Sequence, residues 1–131
     1  NPKIFNLDEC KIILQLVNLL SKLDNVGSIA IIAPYRAQVN KLRTILKNVD
    51  LNINVDTVDG FQGKESDVVI FSLTRNHGPF RFLSDERRLN VALSRAKNKI
   101  FIVGDVRYSS KNRLLGSIIQ RSKVIKFEVK N

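Results

Sequence analysis

The stretch "DVVIFSLTRNHGPFRFLSDERRLNVALSRAKNKIFIVGD", Asp67 to Asp105, places two apolar runs on either side of a loop and an amphipathic segment. The first run, Asp67–Leu73, is rich in β-branched residues, which are typical of strands. Segment Arg87–Lys99 carries apolar residues at helical spacing, and Ile100–Asp105 is a second continuous apolar run. A strand, a helix and a strand in this order are typical of a parallel sheet.

The rest of the chain continues the alternation of helices and strands. Three further segments have helical spacing, Asp8–Asp24, Tyr35–Val49 and Lys111–Ser122, and three read as strands, Ser28–Ala33, Ile53–Val58 and Val124–Val129. We therefore predict one α/β domain over residues 1–131, with a parallel sheet and helices on both faces. Ligands of such sheets bind at the carboxyl ends of strands, here the loops Pro34–Gln38, Asp56–Asp67 and Thr74–Glu86.

Charge is distributed unevenly along the 131 residues. The chain has 22 Lys and Arg against 12 Asp and Glu, a formal net charge of +10. Residues 1–86 balance ten basic with ten acidic residues, so residues 87–131 supply the whole excess. This asymmetry favours a polyanionic partner, with nucleic acid ahead of anionic lipid. A basic surface that only aids solubility is the alternative that charge alone leaves open.

The remaining totals limit the class of protein. A composition of 44% apolar and 26% charged residues is typical of a globular chain. No apolar run approaches the roughly 20 residues that a membrane span needs, so we expect no membrane partner. Cys10 cannot form an internal disulfide, which favours a reducing, intracellular compartment without distinguishing nucleus from cytoplasm. One Cys and His77, which we expect at the surface, argue against a structural zinc site.

The loop "TVDGFQGKESD", residues 57–67, concentrates groups suited to a nucleotide. Its two glycines let a backbone approach a ligand closely, and exposed amides there can hold phosphate. Gln62 and Glu65 offer an amide and a carboxylate to sugar hydroxyls or to a positioned water, and Thr57 offers a hydroxyl to a phosphate. An ordinary glycine-containing turn between strands is the alternative.

Arginines lie along the edge of the predicted helix Arg87–Lys99. Arg88 and Arg95 are seven residues apart, so on a helix they point about 20° from one another and would reach the same anion. Arginines also lay their aliphatic stems along the boundary of a core, and the segment by itself leaves both interpretations open.

Two segments taken together resemble a known family. "TVDGFQGKESDVVIFSLTR" followed by "FLSDERRLNVALSRAKNKIFIVGD" resembles motifs five and six of superfamily-1 helicases, in the group of the nonsense-mediated-decay RNA helicase and senataxin. "SIAIIAPYRAQ" resembles that group's motif four, and "FNLDECKIILQLV" its lead-in helix. The resemblance covers Asn6 to about Asp105. "GPFRF", residues 78–82, departs from the family's "GxIGF", and the last helix lacks an aromatic often found there.

The resemblance implies the second of two RecA-like domains that hydrolyse ATP, with Mg²⁺, in the cleft between them. Arg95 matches the arginine that reaches the γ-phosphate from the neighbouring domain. The other implied contacts fall into two sets: with the nucleotide, Gln62, Gly63, Glu65, Arg88, Tyr35 and Gln38; with single-stranded RNA or DNA, Thr57, Thr74, Arg75 and Arg36. The partners implied are thus a nucleic-acid strand and the first RecA-like domain of the same chain.

The chain lacks a G-x-x-x-x-G-K-[ST] phosphate loop, and neither Asp8-Glu9 nor Asp85-Glu86 follows an apolar strand. We therefore expect a fragment of a longer protein, with the phosphate loop and magnesium ligands in a first domain and no ATP hydrolysis by this chain alone. Two alternatives remain. One is a catalytically silent nucleic-acid-binding module, and the other is a metal-dependent nuclease that uses Asp56, Asp59, Glu65 or Asp67.

Overall fold

A computed structural model of the chain describes residues 3–127. Helices and strands alternate along most of it, but two strands follow one another between residues 53 and 72 and two helices follow the last strand. A 3₁₀ turn lies at Arg81–Ser84. The elements are α1 (Leu7–Leu20), β1 (Ile29–Ala33), α2 (Arg36–Leu46), β2 (Ile53–Thr57), β3 (Ser66–Ser72), α3 (Glu86–Leu93), β4 (Ala96–Val103), α4 (Val106–Ser109) and α5 (Arg113–Gln120).

The four strands form one parallel sheet in the order β2-β1-β3-β4. β1 lies in the centre and pairs with both β2 and β3, and all five of its residues are buried. β3 pairs with β4 from Ser66–Ala96 to Ser72–Val103, with a register irregularity between Ser66 and Val68. The predicted α/β fold with a parallel sheet is confirmed.

Helices cover both faces of the sheet, as predicted. Successive side chains of a strand point to opposite faces, and those of β1 and β3 divide between two apolar clusters accordingly. Ile31 and Ile70 pack with residues of α1 and α2, whereas Ile32 and Phe71 pack with residues of α3 and α5. Burying one such aliphatic side chain contributes roughly 1.5–3 kcal/mol, so both layers stabilise the sheet.

One predicted helix was wrong in its last six residues, 94–99. Arg87–Lys99 is not a single helix, because α3 ends at Leu93, Ser94 closes it, and β4 begins at Ala96. The Ser66 backbone N–H donates to the Arg95 carbonyl at 3.1 Å, which starts the ladder between β3 and β4. Pairing with β3 is a long-range interaction that local periodicity does not record, and it takes residues 96–99 into the sheet.

Other boundaries also differ from the predictions. α1 ends at Leu20 rather than Asp24, and α2 begins at Arg36, inside the predicted loop Pro34–Gln38. The 3₁₀ turn and α4 were not predicted, because both are about one helical turn long and give no periodic signal. Residues 124–127 of the predicted last strand are not a strand, and the rest of that segment lies outside the described residues.

The surface position predicted for His77 is confirmed. His77 is exposed, and Cys10 is completely buried in the apolar cluster beside α2. Burial raises the pKa of the Cys10 thiol to about 11, so the thiol is protonated at neutral pH. Within residues 3–127, none of the helices is both long and apolar enough to cross a membrane.

A cluster of polar residues, not predicted from the sequence, lies where α1 meets the end of β3. We call Asn6, Glu9, Gln38, Ser72 and Thr74 the Glu9 cluster. Glu9 Oε1 accepts hydrogen bonds from Ser72 Oγ at 2.7 Å and from the Thr74 backbone N–H at 2.9 Å. The Gln38 side chain accepts from the Asn6 backbone N–H at 2.8 Å and donates to Ser72 Oγ at 3.0 Å. The cluster therefore ties α1, α2 and β3 together.

Asn6 has two roles in the Glu9 cluster. Its Oδ1 accepts from the Glu9 backbone N–H at 3.1 Å, which makes Asn6 the N-cap of α1. Its Nδ2 donates to the Thr74 carbonyl at 3.0 Å. One side chain thus begins a helix and restrains the residue that follows β3.

Burial raises the pKa of Glu9 to about 7; Asp105 adds to this rise, while the hydrogen bonds from Ser72 and Thr74 oppose it. The pKa in the folded chain therefore lies above the ordinary value of 4.5. A group shifted in this direction stabilises the fold fully below its unfolded pKa and loses that contribution as the pH rises through about 7.

We expect the free energy of unfolding of this chain to fall by up to about 3 kcal/mol between about pH 5 and about pH 8. Glu9→Gln keeps the shape without the charge, so it should flatten this slope in urea unfolding. Glu65→Gln, at an exposed position, serves as the control and should keep the slope of the unsubstituted chain. An unchanged slope in Glu9→Gln would show that Glu9 does not cause it.

Candidate functional site

A cleft of about 500 Å³ opens between the loop that follows β2 and the helix α3. Its lining combines apolar side chains with three arginines and two aspartates: Ile32, Val58, Asp59, Phe61, Gln62, Asp85, Arg87, Arg88, Val91, Ala92 and Arg95. Arginines outnumber carboxylates, so the lining has a formal charge of +1 and favours an anion.

The loop after β2 is held in shape by its own backbone. Thr57 Oγ1 accepts from the Gly60 N–H at 3.1 Å, and the buried Phe61 anchors the turn through a 3.0 Å bond to the Thr57 carbonyl. A side chain at position 60 would collide with the Asp56 carboxylate, so Asp56 would have to move to admit one. Gln62 follows as an exposed side chain at the edge of the cleft.

Arg88 reaches the cleft from α3 but is already paired. Its Nη2 lies 2.7 Å from Asp59 Oδ1, and its guanidinium lies 4.6 Å from the centre of the Phe82 ring. Both partners of the ion pair are well exposed, so the pair contributes at most about 1 kcal/mol. Asp59 thus lines the cleft. From the sequence, Asp59 was a candidate site residue only in the nuclease alternative.

Arg95 enters the cleft from the turn between α3 and β4. Its backbone is fixed on both sides, because its N–H donates to the Ala92 carbonyl and its carbonyl accepts from the Ser66 N–H. The side chain is half-buried, and among residues 3–127 its guanidinium forms no hydrogen bond or ion pair, even at the buried Nε. The expected helical stacking of Arg88 and Arg95 is wrong, but the turn at Ser94 still brings both to one cleft.

The other predicted nucleotide contacts lie outside this lining. Gly63 has φ +80°, a left-handed conformation that favours glycine, and is exposed together with Glu65 on the same loop. Tyr35 is half-buried at the start of α2, and among the described residues its hydroxyl has no hydrogen-bond partner. Burial raises the pKa of Tyr35, and the neighbouring positive charge of Arg75 opposes that rise.

Of the predicted nucleic-acid contacts, Arg36 and Arg75 are accessible. Arg36 is exposed at the first position of α2. Arg75 is half-buried and donates from Nη2 to the His77 carbonyl at 3.3 Å. Thr57 is half-buried, and its hydroxyl already accepts a bond from Gly60. A second opening of about 450 Å³ follows Arg75, lined by Asn76, His77, Gly78, Phe80, Asp105, Arg107, Tyr108 and Lys111.

The positions of Gln38 and Thr74 do not agree with direct ligand contact. They are 0% and 2% exposed. The Gln38 amide is bonded to Asn6 and Ser72, and the Thr74 hydroxyl donates to the Ser72 carbonyl at 3.1 Å. Their side chains therefore fill internal positions in the Glu9 cluster instead of facing an open surface.

The carboxylates of the nuclease alternative do not gather at one point. Asp59 pairs with Arg88, whereas Asp67 accepts from the Ser28 backbone and hydroxyl at 2.9 and 3.1 Å. Asp56 accepts from the Thr57 N–H. Nowhere in the described part of the chain do three or more His, Cys, Asp or Glu side chains come together to hold a metal ion.

Comparison with known proteins agrees with the resemblance drawn from the sequence. A family described as "AAA domain" matches residues 1–107. An uncharacterized ATP-dependent helicase of Methanocaldococcus jannaschii is 36% identical over 131 residues, covering 100% of this chain and 19% of its own length. Helicase SEN1 of Saccharomyces cerevisiae is 35% identical over 131 residues, with 90% of this chain and 6% of its own length covered.

A third relative, DNA-binding protein SMUBP-2 of Mesocricetus auratus, is 37% identical over 97 residues, which cover 72% of this chain and 10% of that protein. The chain thus spans less than a fifth of the length of each of these three relatives. With the family match over most of its residues, the chain belongs to the AAA domain family and, within it, to the superfamily-1 helicases related to SEN1.

Proposed function

We propose that this chain is the second motor domain of an ATP-dependent superfamily-1 helicase and supplies an arginine finger to a nucleotide held by another domain. One observation carries the proposal: Arg95 lines an open cleft with its backbone fixed and its guanidinium without a partner among the described residues. An arginine in that state is available to an anion from outside the chain. The name of one relative, an uncharacterized ATP-dependent helicase, supports ATP as the source of that anion.

The guanidinium of Arg95 suits the charge that develops during phosphoryl transfer. It remains positively charged at any physiological pH, and its planar fork of N–H donors matches phosphate oxygens. An arginine finger typically accelerates hydrolysis by roughly 10³–10⁵-fold, equivalent to about 4–7 kcal/mol of activation free energy. Because Arg95 lies in a two-residue turn directly before β4 rather than on a long loop, little order has to be gained when the nucleotide arrives.

Arg88 and Gln62 take a different role in this proposal. Asp59 already offsets the charge of Arg88, so Arg88 shapes the wall of the cleft and leaves Arg95 to bind the anion. Gln62 places a neutral amide at the same cleft, suited to a phosphate oxygen or the attacking water. We assign Glu65 to the ribose, Gly63 to close backbone approach, and the phosphate loop and Mg²⁺ ligands to the other domain.

We further propose that a single strand of RNA or DNA lies across the surface formed by Arg36, Arg75 and Thr57, at the ends of the parallel strands. Arg107 and Lys111, which belong to the positively charged segment 87–131, line the opening that follows Arg75 and support an electrostatic contribution to this binding. Tyr35, between Arg36 and the sheet, is assigned to the base of the nucleotide. Closure of two domains around ATP would then change how this domain binds the nucleic acid, because both the nucleotide and the nucleic acid contact this domain.

A silent binding module remains the second candidate, favoured by the net charge of +10. It requires nucleic-acid binding that weakens steeply as salt rises, but no contribution of Arg95 to ATP turnover. Arg95, which has no partner within the described part of the chain and lies in a cleft that Arg75 does not line, favours the motor domain. The substitution of Arg95 described next distinguishes the two candidates.

In the full-length protein, Arg95→Ala should lower the ATPase rate at least about a hundredfold, because it removes charge needed mainly in the transition state. ATP affinity, measured by titration with a fluorescent nucleotide, should change little. Lys97, two residues after Arg95, lies within β4 and is exposed. Lys97→Ala is therefore the matched control and should leave the ATPase rate and the ATP affinity unchanged. A near-normal ATPase rate in Arg95→Ala would remove Arg95 from the finger role.

The purified 131-residue chain should release no phosphate from ATP above the protein-free background, with or without Mg²⁺ and single-stranded nucleic acid. The reason is the missing phosphate loop, since an arginine finger acts on a nucleotide that another site holds. Phosphate release measured by a coupled assay tests this expectation. Turnover stimulated by nucleic acid in the chain alone would contradict it.

A further inference from the structure

The Glu9 cluster fixes a strained residue at the end of β3. Thr74 has φ +72°, a conformation that is rare for a β-branched side chain and costs roughly 1–3 kcal/mol. Each of its polar groups is held: its N–H by Glu9, its carbonyl by Asn6 and its hydroxyl by the Ser72 carbonyl. Thr74 is also 2% exposed. Strain of this kind persists only where the surroundings enforce it.

The strained conformation sets the direction in which Arg75 leaves the sheet. The Arg75 N–H bonds to the Leu73 carbonyl at 2.8 Å, so the chain turns sharply at Thr74 and directs Arg75 toward His77. Gly78 packs against this guanidinium so closely that an added Cβ would lie 2.7 Å from Arg75 Nη2. The position of Arg75 therefore depends on the turn that the Glu9 cluster imposes.

The same cluster reaches the segment after β1. Gln38 is three residues beyond Tyr35, and its buried amide bonds to both Ser72 and the Asn6 backbone. The Tyr35 hydroxyl lies near the Arg75 guanidinium, although among the described residues it has no hydrogen-bond partner. Two segments that follow different strands, one with Tyr35 and one with Arg75, are thus tied to a single set of buried bonds.

We propose that Asn6 and Glu9 are positioning residues that hold the Arg75 segment in its strained turn and fix its place relative to Tyr35, so that nucleic acid bound at Arg75 alters nucleotide turnover. This inference rests on the proposed function. Neither residue touches nucleotide or nucleic acid, because Glu9 is 4% exposed and the Asn6 side chain is directed to Glu9 and Thr74. Loosening either one should impair the response to nucleic acid more than the basal chemistry.

Asn6→Ser separates this role from simple stability. Serine is as good an N-cap as asparagine, so α1 should still begin normally. The shorter side chain cannot donate to the Thr74 carbonyl as Asn6 Nδ2 does. The backbone bonds between Asn6 and Gln38 do not involve the substituted side chain and should remain. The variant therefore releases the restraint on the Thr74 carbonyl and, with it, the longer 3.4 Å bond from Asn6 Nδ2 to Glu9 Oε2.

The test measures ATPase activity of the full-length protein against increasing single-stranded poly-uridine RNA and, in parallel, poly-thymidine DNA. For Asn6→Ser we expect a basal rate within about twofold of the unsubstituted protein and a half-saturating concentration of nucleic acid raised about tenfold. Glu9→Gln, which keeps an oxygen for the Thr74 N–H, should shift the half-saturating concentration in the same direction by less. Amide exchange at Thr74 and Arg75 should accelerate in Asn6→Ser.

Cys10→Ala is the matched control, because Cys10 is buried beside Glu9 on α1 but belongs to the apolar cluster. It should lower stability without changing the half-saturating concentration of nucleic acid. The proposal is overturned if Asn6→Ser behaves like Cys10→Ala, or if its basal and stimulated rates fall equally. A different result, no ATP turnover by the unsubstituted full-length protein, would overturn the proposed function and this inference with it.

Discussion

The pairing of β4 with β3 is the constraint on which the arrangement of this domain depends. It ends α3 after eight residues, forces the chain to turn at Ser94, and fixes the Arg95 backbone through the bond from Ser66. It also brings α3 across the sheet, so that Leu89 and Leu93 enter the apolar cluster on that face. A longer helix would have carried Arg95 along the helix surface. The strand instead delivers it to the cleft beside the loop that follows β2.

Two arginines of that cleft, Arg88 and Arg95, differ in how their charges are used. Arg88 is held by Asp59 on one side and by the Phe82 ring on the other, so its position and charge are largely used within the domain. Arg95 has no such partner among residues 3–127. Its partly buried guanidinium costs free energy while it is unpaired, and a phosphate supplied by another domain would recover that cost. The two arginines therefore differ in availability, since Arg88 is engaged within the domain and Arg95 is not engaged by any described residue.

The Glu9 cluster is a polar group within an otherwise apolar layer, and it contributes to the structure differently from the apolar core around it. Ile31, Ile70 and Leu42 stabilise the sheet by excluding water, which specifies little about the loops at its ends. The Glu9 cluster has directional bonds, and these define the backbone course at Thr74. Burial raises the pKa of the Glu9 carboxyl group to about 7, so the fold loses stability as the pH rises through that value. The same carboxyl group holds the turn at Thr74. Stability and loop geometry are thus set by different residues of one layer.

The amino-acid sequence by itself determined the alternation of elements, the parallel sheet, and the family, because apolar periodicity and the motif residues around Gln62 and Arg95 are local signals. It placed Arg88, Arg95 and Gln62 in one site, although for the arginines through an incorrect helix. Only the tertiary structure decided where α3 ends, that Asp59 engages Arg88, and that Gln38 and Thr74 are internal. Each of these depends on contacts between residues distant in sequence, such as Glu9 with Thr74 and Ser66 with Arg95, which no local pattern encodes.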